Sequence, residues 1–204
     1  MKSKPWVPYV APMAIYFVFL LFQSNANLVW VYPLKTVAVA AALWFFRNEY
    51  EELRPNFSVL AIIVGLVAIA IWIGIDPYYP KPSGTGAPFD PTGNWWFIAV
   101  RVAGAVIVVP LMEELFWRAF LIRWLVNDDF KKVPVGTFTV ASFAITVALF
   151  GAEHHQWLAG AICGAVYNWL YYKRKDVFSC IVAHAVSNAV LAAWVLARSD
   201  WKFW

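Results

Sequence analysis

Seven apolar runs separated by short polar breaks set the pattern of this chain. They fall at about Trp6–Phe22, Leu28–Phe46, Phe57–Ile75, Trp95–Val126, Gly136–Phe150, Trp157–Tyr172 and Val177–Leu196. Phe57–Ile75 runs for 19 residues without a charge, about the length a helix needs to cross a ~30 Å hydrocarbon core. Trp95–Val126 is longer, about 48 Å as a helix, and Pro110 interrupts it, so a kink is expected there. Basic residues punctuate the breaks at Lys2/Lys4, Arg47/Arg54, Lys131/Lys132 and Lys173–Lys175. Starting the chain on the cytoplasmic side places all four clusters inside, as the charge rule for membrane topology requires. The pattern predicts an all-α, polytopic transmembrane bundle of about seven spans. Splitting the 95–126 run would give eight, but would move the Lys173–Lys175 cluster outside.

The breaks refine this picture. Asp76–Asn94 contains Pro77, Pro80, Pro82, Pro88 and Pro91 and is read as an external loop. The N-terminal run, with its basic start and Ser24-Asn25-Ala26 at its end, has the outline of a secretory signal. Pro8 and Pro12 inside it, and a second run close behind, make a retained first helix the expectation. Lys35 lies near the outer end of the second run and is expected to snorkel to the interface.

Composition agrees. Hydrophobic residues make up 62% of the chain and charged residues 14%, too few charges for a soluble domain. Trp6, Trp30, Trp95, Trp96, Trp201 and Trp204 sit where spans should meet lipid headgroups. The net charge of +4 is spread over small clusters at run ends, a topology signal and not a nucleic-acid surface. Cys163 and Cys180 fall within apolar runs and read as buried thiols.

Candidate chemistry lies in the polar residues inside the later runs. Pro110–Leu121 (PLMEELFWRAFL) sets Glu113, Glu114 and Arg118 in an apolar helix. Glu114 and Arg118, at i,i+4, share a face and can neutralise one another. Glu113 lies about 100° round and is free to point elsewhere. His154 ends the fifth run four residues after Phe150, and His184 and Asn188 share a face of the last. A lone intramembrane histidine is usually a packing group satisfied by a neighbouring carbonyl or hydroxyl. Three separate helices with such residues are best satisfied if the residues meet. Together they would form a hydrolase site without a nucleophilic side chain. A carboxylate activates water beside an imidazole, while a second histidine and an amide stabilise the oxyanion. The His-Glu-xx-His, Gly-x-Ser-Gly and Gly-x-Gly-Asp signatures of other membrane proteases do not occur. A proton or ion pathway is a further use of such residues, but no internal repeat of the transporter kind is present.

The ordered set Glu113-Glu114-xxx-Arg118, Phe150-xxx-His154 and His184-xxx-Asn188 resembles the type II CAAX prenyl endopeptidase family, also known as the CPBP or Abi intramembrane proteases. The resemblance covers about residues 95–196, making 95–204 the protease-like core and 1–94 N-terminal helices and a loop without a motif. It implies that Glu113 activates water with help from His154, that His184 and Asn188 form the oxyanion site, and that Glu114, Arg118 and Phe150 support them. Family members have been described as metalloproteases and as metal-independent glutamate proteases, and the latter looks better supported. No cofactor is therefore expected. The alternative is a zinc ion held by Glu113, His154 and His184, and a non-catalytic membrane binding or immunity protein is a third reading. The implied partners are the bilayer and a membrane-associated or lipidated protein or peptide substrate. The implied location is the cytoplasmic membrane of a prokaryote. The sequence departs from the family pattern at Ala119, commonly glycine there, and adds Glu153 and His155.

Two packing expectations follow. Seven straight spans leave His154 nearer the outer side than Glu113, so the fifth helix must be short, displaced or re-entrant, with Gly151 a place to break. Gly160 and Gly164 form a small-residue face on the sixth helix that lets a neighbour approach closely.

Overall fold

The computed structural model describes residues 4–82 and 88–204. Lys2 of the first basic cluster and residues 83–87 of the proline-rich loop lie outside them. The described residues form seven helices and no strand: α1 (Val7–Phe22), α2 (Leu28–Phe45), α3 (Val59–Ile75), α4 (Trp95–Trp124), α5 (Val140–Ala152), α6 (Trp157–Arg174) and α7 (Phe178–Arg198). Each corresponds to one apolar run of the sequence. The protein is a polytopic helical membrane bundle. Leu28–Phe45, Val59–Tyr78, Trp95–Trp124 and Phe178–Arg198 are long and apolar enough to cross a membrane. At 1.5 Å per residue α1 and α5 reach only about 24 and 20 Å, short of a ~30 Å core.

The 95–126 run stays one continuous helix instead of splitting. Its regular turns are interrupted twice by wider π turns, at Gly104–Val108 and Leu115–Leu121, on either side of Val109–Glu114. Such insertions recur at functional sites because they redirect side chains without ending the helix.

Close helix contacts position the site-bearing segments. On α3, a Cβ at Gly65 would lie 2.4 Å from the Ala183 carbonyl of α7, so glycine lets these two helices meet backbone to backbone. On α6, a Cβ at Gly160 would lie 3.2 Å from the His154 imidazole, and one at Gly164 equally close to Phe150. The small-residue face of α6 therefore receives the end of α5. That end is short, as expected: α5 stops at Ala152, and residues 153–156 form an irregular turn.

At the other end of the bundle, the charged break 47–56 folds inward. Arg123 of α4 pairs with Glu52 and donates to the Val133 carbonyl at 2.8 Å, while the Tyr9 hydroxyl donates to Glu52 at 2.7 Å. Lys35 departs from its expected snorkelling. It is 2% exposed, with its ammonium on Gln23 Oε1 at 2.9 Å and over the Tyr16 and Tyr32 rings. Position 35 lies on the face of α2 turned toward the bundle, so its side chain has no path to the interface.

Candidate active site

The four residues expected to converge do so. Glu113 from α4, His154 from the turn after α5, and His184 and Asn188 from α7 all line one cavity of about 230 Å³.

Glu114 and Arg118 form the support. Both are fully buried, and Arg118 Nη1 donates to Glu114 Oε1 at 3.1 Å. The other guanidinium donors are also used, Nε on Asn168 Oδ1 at 3.1 Å and Nη2 on the Gly164 carbonyl at 3.2 Å. Asn168 in turn donates to Thr146 Oγ1 at 2.9 Å, so α4, α5 and α6 are joined through one arginine. The Phe150 ring covers the guanidinium at 4.8 Å. A buried ion pair is tolerated when its remaining hydrogen-bonding capacity is met in this way.

His184 is fixed by the same carboxylate. Its Nδ1 lies 2.9 Å from Glu114 Oε1, its ring stacks on Tyr167, and its Nε2 is 4.0 Å from Glu113 Oε2. Glu114 accepts, so Nδ1 carries the proton and Nε2 faces the cavity.

His154 is oriented differently. Its Nδ1 is 2.7 Å from the Phe150 carbonyl, which can only accept, so Nδ1 donates and Nε2 keeps its lone pair. The Glu113 carboxyl is buried, and its Oε2 has no hydrogen-bond partner in the protein. Asn188 donates through Nδ2 to the Ala105 carbonyl at 2.8 Å, which leaves its second amide hydrogen for a ligand.

Glu153 also belongs to this cluster. One donor atom from each of Glu113, Glu153 and His154 lies within 4.8 Å of the others, and Trp117 Nε1 donates to Glu153 Oε1 at 3.1 Å. In the sequence Glu153 stands out only as an addition to the family pattern. Residues 153–156 are not helical, and this irregular turn brings Glu153 to the cavity side together with His154. A carboxylate at the end of an apolar run was the available signal. His155 points away and is exposed. The trio shares Glu113 and His154 with the zinc set read from sequence and has Glu153 where that set has His184.

An apolar helical bundle with a cavity of buried carboxylate and imidazole groups beside a part-buried amide defines a membrane-embedded protein with an interior polar site. Residues 94–190, a little under half of the chain, match the family model described as Type II CAAX prenyl endopeptidase Rce1-like. No curated protein and no solved structure matches the chain.

Proposed function

We propose that this cavity is the active site of an intramembrane endopeptidase, acting on a membrane-associated or lipidated peptide of the kind the family description names. The observation that carries the reading is the buried Glu113 carboxyl in the cavity wall, its Oε2 without a hydrogen-bond partner and one of its oxygens within 4.8 Å of a His154 ring nitrogen.

In the mechanism a water molecule binds between Glu113 and His154 Nε2. Glu113 takes a proton from it as the oxygen attacks the peptide carbonyl carbon. Negative charge grows on the carbonyl oxygen, which faces the His184 Nε2–H and the free Asn188 amide hydrogen. His184 is held in place for this by Glu114 at Nδ1. The C–N bond then breaks, and Glu113 returns its proton to the leaving amine. The products are a carboxylate and a new amino terminus. Arg118, Asn168 and Phe150 touch no reacting atom and act by holding Glu114 and His154 in place.

A second reading has an observation of its own. The Glu113, Glu153 and His154 donors, within 4.8 Å of one another, are chemically suited to a divalent cation. Such an ion would acidify a bound water. Activity lost to a chelator and restored by zinc would establish that version. Unchanged activity would favour the metal-free one.

The function itself is tested by comparing membrane-protein termini from cells expressing the wild type or Glu113→Gln. New termini confined to the wild type are expected. Identical termini in the two samples would contradict a protease.

A further inference from the structure

The chain folds back on the bundle after α7. Ser199 takes a left-handed backbone conformation, with φ of 54°, and ends the helix. Trp201–Phe203 then form a short 3₁₀ turn. The turn is compact, with the Trp201 and Trp204 ring centres 5.6 Å apart. It brings Phe203 and Trp204, both half-buried, into the wall of the cavity that Glu113, His154, His184 and Asn188 share. These two residues lie outside the segment that matches the family model.

Three contacts hold the turn in place. Lys202 Nζ lies 3.0 Å from Oδ2 of Asp76, the residue after α3. Gln156, in the turn that carries His154, donates to the Lys202 carbonyl at 3.4 Å. The Arg101 guanidinium carbon lies 5.3 Å from the centre of the Trp204 ring. The Lys202 side chain is 51% exposed, so solvent screens its ion pair and makes it weak. The hydrogen bond to Asp76 keeps the Lys202 ammonium above the ordinary lysine range, and the lysine stays charged at neutral pH. Releasing the turn also strands no buried charge. Asp76 is buried, but its other carboxylate oxygen is paired with Lys81 Nζ at 3.2 Å, and Lys202 keeps Asp200 at 3.8 Å. Breaking a buried pair is costly chiefly because one charge is left alone, and here a second lysine prevents that.

We propose that residues 199–204 form a lid on the active-site cavity, hinged at Ser199 and latched by Lys202 on Asp76. In the closed form Phe203 and Trp204 complete the cavity wall. In the open form the 3₁₀ turn swings away as a unit and takes both rings with it. Hinges of this kind are a few residues at the end of an element that absorb the backbone change. The lid governs entry to the cavity, so the proposal holds whether or not the cavity hydrolyses a peptide.

The chain carries its own reporter of entry. Cys163 is buried in the cavity wall, whereas Cys180, the other cysteine, is buried away from it. The test treats the purified full chain in detergent with N-ethylmaleimide and reads the two thiols separately by mass spectrometry. Lys202→Met should raise the Cys163 rate at least about threefold, as loss of a part-exposed ion pair allows. The Cys180 rate and the melting temperature should not change. Raising the salt from about 0.05 M to about 0.5 M should bring the wild type toward the Lys202→Met rate and leave that variant where it is. Asp76→Asn should act as Lys202→Met does, and the two together should add nothing further. Equal Cys163 rates in the wild type and Lys202→Met would overturn the lid. A rise at Cys163 matched by an equal rise at Cys180 would overturn it too, because it marks a general loosening of the bundle. None of these rates depends on cleavage, so failure of the lid and failure of the endopeptidase reading are separate results.

Discussion

Asn188 donates to the Ala105 carbonyl because residue 110 is proline. In the π turn Gly104–Val108, the Val109 N–H reaches back to Gly104 instead of Ala105. The next residue in that wide ladder would serve Ala105, but Pro110 has no N–H. The orphan carbonyl takes the Asn188 amide at 2.8 Å, and a local feature of α4 thereby sets a side chain of α7. Pro110→Ala supplies the missing donor and removes a residue that normally destabilises a helix interior by about 3 kcal/mol. The expected outcome is a melting temperature unchanged or raised and a turnover lowered about tenfold or more. Full activity in Pro110→Ala would show that the proline does not position Asn188.

The Glu114 carboxylate holds both Arg118 and His184. Glu114→Gln leaves the guanidinium buried and unpaired, and breaking such a pair costs about 3–5 kcal/mol. A large fall in thermal stability is expected along with lost activity, whereas Glu113→Gln should lose activity alone. The comparison is read by fluorescence-detected size exclusion over a temperature series. Equal stability of the two variants would contradict the division between support and reaction.

Gly65 and Gly74 lie on the same helix and offer a control pair. A Cβ at Gly65 meets the Ala183 carbonyl at 2.4 Å, while one at Gly74 meets nothing within 4 Å. Gly74→Ala should be neutral or stabilising by about 0.5–1 kcal/mol. Gly65→Ala should push α3 from α7 and destabilise by at least 1–3 kcal/mol, the usual range for overpacking. Thermal unfolding of the two variants in one detergent distinguishes them, and equal shifts would mean the α3–α7 contact is looser than described.

Much of this fold was legible because bilayer-scale apolar runs have few alternatives to a helix. The sequence placed α2 at Leu28–Phe46 and the structure at Leu28–Phe45; α3 and α6 agree to within two residues at one end. The convergence of Glu113, His154, His184 and Asn188 was legible too, since buried polar groups must find partners. The π turns were not, because they exchange one hydrogen-bonding register for another without a change of composition. Glu153 was missed for a related reason: its place depends on where α5 stops, and helix ends follow from packing against Gly160 as much as from local sequence. Lys35 reads in the sequence as a snorkelling residue because nothing in its own segment marks the Tyr16 and Tyr32 rings that it meets.

The central claim is that Glu113 takes a proton from water. It is tested most directly by the single-turnover rate of purified Glu113→Gln protein on a substrate found by terminal proteomics. The amide preserves shape and hydrogen bonding but cannot accept the proton. The rate should therefore fall by about 10²–10⁴ while substrate binding and melting temperature stay near the wild-type values. Cleavage at the wild-type rate by a correctly folded Glu113→Gln protein would contradict the account.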